Sequence, residues 1–373
     1  MLEKPNGALA PEAKPGVLQR ILRIFIFLTA LYAFLLSIQL ISGSLKLLGM
    51  PFAETLIELT NNPIIGLFIG ILVTALIQSS SATTSLVVGF VAAGTISVEN
   101  AIPIVMGANI GTTITNSLVS LYHISRKEEF MRAFPAAIVH DIFNLLSVAI
   151  LLPLEIFVHP IANVSGFLAK AFAGAGGLKF VGPLQIAVKP VADAIIDTLK
   201  KWYFSIPLAL TMLFLGLKFM VDNMRQLVGS KAEIVIDKYL FGKPLMALLL
   251  GMMITAVIQS SSVTTSFIVP LVGAGLVALE QVFPYTLGAN IGTTVTAILA
   301  ALVMKSQGGV QIAFAHLLFN IFGILIWYPL RVVPISLARL VGKAVAKHRW
   351  LAFVYIAVIF VIIPVGLILI LRR

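Results

Sequence analysis

The sequence contains no cysteine and little charge, and both absences narrow the class of protein. Of its 373 residues, 11% are Asp, Glu, Lys or Arg and 59% are hydrophobic. A soluble domain carries roughly 25% charged residues, so the composition indicates a polytopic membrane protein. Without cysteine the chain uses neither disulfides nor thiolate metal ligands. That usage fits a bacterial inner-membrane protein.

Acidic residues are scarcer than basic ones, 15 against 26, which gives a formal net charge of +11. The basic residues gather in short connections between apolar runs, at 126–132, 225–243 and 331–349. In a membrane protein this distribution sets topology, because cytoplasmic loops carry an excess of Lys and Arg. We therefore expect a lipid bilayer as the surroundings and no nucleic-acid partner.

The first 19 residues lack the apolar core and cleavage site of a secretory signal. Their Pro, Gly and Ala predict a disordered tail, after which Arg20 and Arg23 hold the start of the first helix on the cytoplasmic side. Mostly apolar runs long enough to cross about 30 Å of hydrocarbon lie at 24–45, 202–221 and 351–371. The chain therefore predicts an all-α membrane protein.

Two polar motifs occur twice. The stretch TALIQSSSATTS at 74–85 returns as TAVIQSSSVTTS at 255–266, and GANIGTTIT at 107–115 returns as GANIGTTVT at 288–296. Both copies share one offset, since 259 − 78 and 290 − 109 both give 181. A weaker echo pairs HDIFN at 140–144 with HLLFN at 316–320, shifted by five residues. Two polar motifs at a common offset indicate an internal duplication.

The duplication divides the chain into five segments. They are a tail at 1–19, a first transmembrane repeat at 20–154, a linker at 155–201, a second transmembrane repeat at 202–330, and a basic segment with a final transmembrane helix at 331–373. In the linker, the amphipathic run at 187–201 follows a Gly-Ala-Gly-Gly sequence and predicts an interfacial helix. If the first repeat begins inside and ends outside, the second has inverted topology.

Each Gln-Ser-Ser-Ser sequence lies between apolar runs that are short for a full crossing. This pattern predicts a re-entrant hairpin or broken helix with the polar residues at its tip, lining an enclosed site near the bilayer midplane. The glycines of the Gly-Ala-Asn-Ile-Gly-Thr-Thr motifs predict a second pair of broken helices, because glycine permits unwinding and close backbone approach. Close helix packing through small residues is the alternative.

These polar groups suit both a cation and an oxyanion. Na⁺ prefers neutral oxygen ligands such as hydroxyls, amide oxygens and freed carbonyls. An oxyanion needs donors, which hydroxyls, amide N–H groups and half-helix N-termini supply. Phosphate would then be held by hydrogen bonds while bound sodium neutralises its charge.

Asp141 is the only acidic residue that we place inside the apolar body, and its counterpart in the second half is Leu317. An intramembrane carboxylate is costly and marks a functional site by default, here a sodium ligand or proton acceptor. The alternative is a position near the interface, paired with Arg132 or a neighbour. For His140 and His316, a structural hydrogen bond is favoured over proton transfer.

Together these motifs resemble the type II sodium-dependent phosphate cotransporter family. The likeness rests on both Gln-Ser-Ser-Ser and both Gly-Ala-Asn-Ile-Gly-Thr-Thr motifs, on Asn62-Pro63, and on 132–144, and it covers roughly 30–371. It implies coupled import of inorganic phosphate with Na⁺ by alternating access. It also implies an electrogenic cycle, because Asp141 occupies the position that distinguishes electrogenic members.

The resemblance and the residue chemistry together give two sets of candidate residues. Those expected to bind phosphate are Gln78, Ser79, Ser80, Ser81, Asn109, Thr112, Gln259, Ser260, Ser261, Ser262, Asn290 and Thr293. Those expected to bind sodium are Ser81, Thr83, Thr84, Thr113, Asp141, Asn144, Ser262, Thr264, Thr265 and Asn320. We expect no cofactor and no metal other than Na⁺ as the coupling ion.

The sequence departs from the animal members in two places. It lacks their long, cysteine-containing loop between the repeats, and it has His123 and Arg126 where we expect Gln and Asp. Within transport, a sodium symporter for another oxyanion or a small carboxylate is the alternative, followed by an ion channel.

An intramembrane serine hydrolase would pair Ser79 or Ser260 with one of the two histidines. Such an enzyme needs a serine activated by an adjacent base, and no Gly-x-Ser-x-Gly elbow is present. We therefore predict that the protein is not an enzyme.

Overall fold

The computed structural model describes residues 17–58, 62–172, 186–227, 242–304 and 306–371. These residues form helices and connecting turns with no strand. Among them, five helical stretches are long and apolar enough to cross a membrane, namely 21–41, 98–123, 127–157, 307–327 and 351–371. The predicted all-α polytopic class is therefore confirmed.

Among the residues that the structure describes, the first half contains seven α-helices, in chain order. They are α1 (Val17–Glu58), α2 (Pro63–Ile77), α3 (Ser80–Ala92), α4 (Val98–Gly111), α5 (Ile114–Ser120), α6 (Lys127–Phe157) and α7 (Pro160–Ala171). The remaining helices are α8 (Lys189–Leu199), α9 (Trp202–Leu227), α10 (Pro244–Ile258), α11 (Ser261–Gly273), α12 (Leu279–Met304), α13 (Gln307–Trp327), α14 (Val332–Lys347), α15 (Leu351–Ala357) and α16 (Ile363–Leu371).

Two helices extend across the expected segment boundaries. Helix α1 begins at Val17, so the last three residues of the expected tail are helical, and 1–16 lie outside the described residues. Helix α6 continues past the expected end of the first repeat to Phe157. The Gly-Ala-Gly-Gly sequence of the linker also lies outside the described residues.

The amphipathic run of the linker contains helix α8, which packs against α1. The contact includes a hydrogen bond of 3.0 Å from the Tyr32 hydroxyl to the carbonyl oxygen of Ala187. Ile196 of α8 lies directly over Gly43 of α1. The helix is thus anchored to the first half, and its interfacial position remains a prediction.

Each Gln-Ser-Ser-Ser sequence, at 78–81 and at 259–262, interrupts the helical chain between two short helices. We call these two segments the polar tips. Gln78 and Gln259 follow α2 and α10 in the left-handed region, with φ of 59° and 60°. The next residues, Ser79 and Ser260, are extended and accept hydrogen bonds from the backbone N–H groups three residues on, which is the usual role of an N-cap serine. The short helices on either side have 13 to 15 residues. At 1.5 Å per residue, none spans about 30 Å of hydrocarbon.

The second pair of predicted broken helices is only half present. In the first half a turn at Thr112 and Thr113 separates α4 from α5, as predicted. In the second half α12 runs unbroken through its Gly-Ala-Asn-Ile-Gly-Thr-Thr motif, so the prediction was wrong there. The two equivalent threonines bond differently. The Thr293 hydroxyl bonds back to the carbonyl oxygen of Ala289 within α12, at 3.0 Å. The Thr112 hydroxyl accepts a hydrogen bond from another helix, as described below.

The motif glycines serve close helix packing. A Cβ added to Gly107 would collide with the carbonyl oxygen of Leu67, and one added to Gly288 would collide with that of Leu248. Each contact is repeated 181 residues on, so α2 packs on α4 as α10 packs on α12. The glycines at these contacts are Gly70, Gly107 and Gly111 in the first half and Gly251, Gly288 and Gly292 in the second. The duplication seen in the sequence is therefore also present in the structure.

The two halves interlock. Helix α1 runs along α9, and a buried hydrogen bond of 2.6 Å joins the hydroxyls of Ser44 and Ser205. Helix α3, which follows the first polar tip, packs on α12 and α13 of the second half. In return α11, which follows the second tip, packs on α5 and α6 of the first half. Each half therefore inserts the helix after its tip into the other half.

Gly107→Ala should destabilise the protein, because the added methyl meets backbone of α2 that cannot move aside. Overpacking of this kind costs about 1–3 kcal/mol, and we expect an apparent melting temperature several degrees lower in detergent. Gly89→Ala is the matched control, since nothing lies within 4 Å of a Cβ at that position of α3. Equal melting temperatures for the two variants would contradict this packing.

Candidate substrate and ion site

The two polar tips meet at Thr112. Its hydroxyl accepts a hydrogen bond of 3.3 Å from the backbone N–H of Ser80, at the start of α3. Its carbonyl oxygen accepts a longer one of 3.5 Å from the hydroxyl of Ser262, in the first turn of α11. One residue between α4 and α5 thus contacts both tips, although 150 residues separate Thr112 from Ser262.

Each tip places the N-terminus of a 13-residue helix in the protein interior. The first N–H groups of a helix have no partner within it and carry partial positive charge. Ser80, Ser81, Ser261 and Ser262, which open α3 and α11, are all buried. Hydroxyl and N–H donors at two adjacent helix starts form an arrangement that can bind an anion without Arg or Lys.

The Gln78 side chain ties the first tip together. Its Nε2 donates to the carbonyl oxygen of Ala75 at 2.9 Å, and its Oε1 accepts from the Thr115 hydroxyl at 2.7 Å. Thr115 lies in α5, so the glutamine links the tip to the helix after the Thr112 turn. Both polar ends of Gln78 are therefore occupied by protein groups.

Histidine and asparagine side chains form a matching pair of hydrogen bonds between the halves. His140 Nε2 lies 2.6 Å from Asn290 Oδ1, and His316 Nε2 lies 3.1 Å from Asn109 Oδ1. Because an amide oxygen only accepts hydrogen bonds, each Nε2 donates. All four side chains are buried. Each half thus supplies the histidine for the other half's asparagine, in agreement with the structural role favoured for the histidines.

Asn144 and Asn320 extend this network in parallel. Asn144 Nδ2 donates to the carbonyl oxygen of Asn109 at 2.9 Å, and Asn320 Nδ2 donates to that of Asn290 at 3.4 Å. A further bond of 3.2 Å runs from Asn290 Nδ2 to Asn144 Oδ1. Asn320 Oδ1 has no hydrogen-bond partner among the described residues. The asparagine network therefore leaves one amide oxygen available on the second half.

Asp141 is fully buried and is not paired with Arg132. One carboxylate oxygen, Oδ2, accepts a hydrogen bond of 3.0 Å from the Tyr355 hydroxyl of α15. The other, Oδ1, has no donor within the part of the chain that the structure describes. Arg132 instead donates through Nε and Nη2 to the carbonyl oxygen of Gly273, at 3.2 and 2.8 Å. The alternative of an interfacial ion pair with Arg132 was therefore wrong.

The remaining candidate threonines mostly bond to their own helices. Thr83 and Thr264 donate to the carbonyl oxygens of Ser79 and Ser260, at 3.2 and 2.9 Å, and Thr113 donates to that of Ile110 at 2.6 Å. Their oxygens keep lone pairs for a cation. Thr84 is buried, and its hydroxyl has no partner among the described residues.

Asn116 of α5 is a site residue that the sequence analysis missed. Its Oδ1 accepts two hydrogen bonds of 2.9 Å, from the hydroxyls of Thr265 and Ser266 in α11. The position 181 residues on is Ala297, so Asn116 has no counterpart in the second half. Like Asp141, Asn116 is a polar residue that breaks the repeat, and that departure is the signal in the sequence that identifies it.

Two further sets of polar contacts were not predicted from the sequence. Glu155 is also buried, and it caps the start of α7 by accepting from the backbone N–H groups of Ile161 and Ala162 at 2.8 and 3.0 Å. In the connection before α6, His123 Nδ1 and Arg126 Nη1 lie 2.9 and 3.2 Å from the Glu129 carboxylate. Asp141 is therefore not the only acidic residue inside the body.

Comparison with known proteins matches this architecture to one family. A family model described as Na⁺/Pi-cotransporter matches residues 33–178 and 212–367, one segment in each half. The chain is 34% identical to sodium-dependent phosphate transport protein 2A of Rattus norvegicus, over 97% of this chain and 69% of that protein. It is 32% identical to sodium-dependent phosphate transport protein 2B of Homo sapiens, over 93% of this chain and 65% of that protein.

The histidine–asparagine bonds between the halves predict a non-additive pair of substitutions. His140→Leu and Asn290→Leu should each lower the free energy of unfolding by about 1–3 kcal/mol, because each leaves a buried partner unpaired. The double variant should lose less than the sum of the two, by at least about 0.5 kcal/mol. Denaturant unfolding in detergent measures all three.

His140→Leu combined with Asn100→Leu, at the start of α4, is the control for this cycle. Asn100 has no hydrogen bond to His140, so the two effects should add. Additive losses for the His140 and Asn290 pair as well would show that their contact contributes no coupling.

Proposed function

This chain belongs to the Na⁺/Pi-cotransporter family, and from that membership and the site geometry we propose that it carries inorganic phosphate across a membrane together with Na⁺. The observation that carries the proposal is the meeting of both polar tips at Thr112. There, two buried helix N-termini from different halves offer hydroxyl and N–H donors to a single anion. A member of this transporter family is not an enzyme, and we propose no cofactor beyond the coupling ion.

Phosphate would sit between the tips. Its oxygens accept hydrogen bonds, and the starts of α3 and α11 supply donors together with a favourable helix dipole. The proposed phosphate ligands are the residues of both tips, Gln78 to Ser81 and Gln259 to Ser262, with Asn109, Thr112, Asn290 and Thr293 around them. The Nδ2 groups of Asn109 and Asn290, which alone could donate to phosphate, already donate to the carbonyl oxygen of Val105 and to Asn144 Oδ1. Their contribution to phosphate therefore requires that these bonds rearrange.

Sodium would neutralise the bound phosphate. Asp141, Thr84 and Asn320 each present a buried oxygen that has no hydrogen-bond partner among the described residues. Hard cations take such oxygens as ligands, and a buried anionic oxygen without a donor is costly unless a cation compensates it. The other proposed sodium ligands are Ser81, Thr83, Thr113, Asn144, Ser262, Thr264 and Thr265.

The interlocked halves suit an alternating-access cycle. In transporters built from inverted repeats, one repeat moves against the other around a site at their interface. Here α3 and α11 cross between the halves, so a relative movement would open the site toward one side or the other. We propose import, a bacterial inner-membrane location and a cytoplasmic N-terminus, as the basic residues near the start of α1 favour.

Radiolabelled phosphate uptake into proteoliposomes tests the proposal. Uptake should require an inward Na⁺ gradient and should stop when K⁺ replaces Na⁺, because phosphate charge is compensated by bound sodium. Unlabelled sulfate and arsenate added in excess separate phosphate from other oxyanions. Uptake that proceeds equally in K⁺ would reject sodium coupling, and full inhibition by sulfate would favour a broader oxyanion symporter.

Asp141→Gly should reduce the charge moved per phosphate, because it removes the carboxylate that would bind one sodium ion. We expect a fall of roughly one elementary charge per phosphate, measured as the ratio of current to radiolabelled flux. Asp193→Gly, which removes a half-exposed carboxylate of α8, is the control and should leave the ratio unchanged. A constant ratio in Asp141→Gly would remove Asp141 from the sodium stoichiometry.

A further inference from the structure

The buried carboxylate of Asp141 accepts a side-chain hydrogen bond from a residue outside both repeats. The donor is the hydroxyl of Tyr355, 3.0 Å from Oδ2 and 214 residues further along the chain. Tyr355 lies in α15, the first part of the final membrane-crossing stretch. The Thr113 hydroxyl also faces the carboxylate, but it donates its hydrogen to the carbonyl oxygen of Ile110. Oδ2 is therefore held from the C-terminal helix.

Packing fixes the Tyr355 ring in this position. Its ring meets that of Phe134, on the same helix as Asp141, edge to face with centroids 5.8 Å apart. Directly after α15, the chain passes through a π-helical turn at Val358–Ile362 before α16 begins. Single π-helical turns inside α-helices change the register of the faces on either side and often lie at functional sites. The turn lets α15 present Tyr355 to Asp141 while the following segment packs on α2.

The hydrogen bond from Tyr355 gives the two carboxylate oxygens of Asp141 different roles. A hydroxyl donor on Oδ2 fixes the carboxylate plane and stabilises its charged form. Oδ1, fully buried and without a donor among the described residues, is left to a cation. The second half offers nothing equivalent, because Leu317 stands at the position that matches Asp141. The C-terminal helix can therefore influence ion binding in one half only.

We propose that Tyr355 is a positioning residue for sodium binding, which holds the Asp141 carboxylate so that Oδ1 faces the ion. This role rests on the proposed function, and it gives the helix beyond the repeats a part in ion coupling. Tyr355 contacts the ion only through Asp141. Removing its hydroxyl should therefore weaken sodium binding without changing the affinity for phosphate once sodium is saturating.

Tyr355→Phe tests this role, since it keeps the ring and its contact with Phe134. We expect the Na⁺ concentration for half-maximal phosphate uptake to rise roughly ten- to hundredfold, as for loss of a hydrogen bond to a charged group. The phosphate concentration for half-maximal uptake, measured at saturating Na⁺, should stay within a factor of about two. A parallel readout is the Na⁺ dependence of the melting temperature in detergent without phosphate, with choline replacing Na⁺.

The same substitution in the Asp141→Gly background separates positioning from general packing. There Tyr355→Phe should have no further effect on either Na⁺ dependence, because its partner is gone. Tyr203→Phe, at an exposed tyrosine of α9, is the matched control and should behave as the unaltered protein. An unchanged Na⁺ dependence in Tyr355→Phe, or an equal change in both backgrounds, would overturn the role of Tyr355.

The two readouts keep this inference distinct from the proposed function. If uptake proves independent of Na⁺ but the Na⁺-dependent melting shift still requires Tyr355 and Asp141 together, sodium binding stands and the transport proposal fails. If uptake depends on Na⁺ and Asp141→Gly alters the charge per phosphate while Tyr355→Phe changes nothing, the transport proposal stands and the positioning role fails.

Discussion

A polar group buried among apolar helices is costly unless it finds a hydrogen-bond partner, and this constraint decides where the two halves of the protein meet. Each half takes part of the hydrogen bonding of its central polar groups from the other half. Asn109 takes its histidine from the second half and Asn290 takes its histidine from the first. Asn116 accepts from two hydroxyls of α11 in the same way. The interface between the repeats is therefore a hydrogen-bonded surface, and the proposed site is built into it.

The glycine contacts explain how these groups are brought together. Gly107 and Gly288 let α4 and α12 lie directly against the backbones of α2 and α10. Helices α2 and α10 lead into the two polar tips. The same contact therefore fixes the position of each tip relative to α4 or α12. A cluster of hydroxyls at a helix end becomes a site only if its helix cannot slide. Backbone-to-backbone packing provides that constraint more firmly than long side chains could.

Much of the fold follows from the sequence, because a polar run between two short apolar runs has few solutions in a membrane protein. The breaks at Gln78 and Gln259 are of this kind. The unbroken path of α12 is not, since Thr112 and Thr293 have the same adjacent residues in sequence. They differ in their tertiary partners, because Thr112 contacts the N–H of Ser80 and the hydroxyl of Ser262 whereas Thr293 bonds within its own helix. The hydrogen-bond partner of Asp141 could not be predicted from the sequence either. No spacing rule connects Asp141 to Tyr355, and Arg132 was proposed because it is a basic residue close to Asp141 in sequence.

The departures from symmetry are as informative as the repeat. Asp141 and Asn116 have Leu317 and Ala297 as counterparts, so the first half carries both the buried charge and the extra amide. A site shared by two similar halves can bind one anion between them while binding ions unequally on either side. In the proposed cycle the two halves therefore have different roles. The first half binds sodium through the Asp141 carboxylate, whereas the second half contributes only neutral oxygens.

In the proposed mechanism the two tips form one phosphate site and not two separate sites. Equilibrium binding of radiolabelled phosphate to the purified protein in saturating Na⁺ measures this directly, together with the equivalent variants Ser81→Ala and Ser262→Ala. We expect one phosphate per chain, with either substitution weakening that same site. Two phosphates per chain, with each substitution removing one of them, would contradict this mechanism.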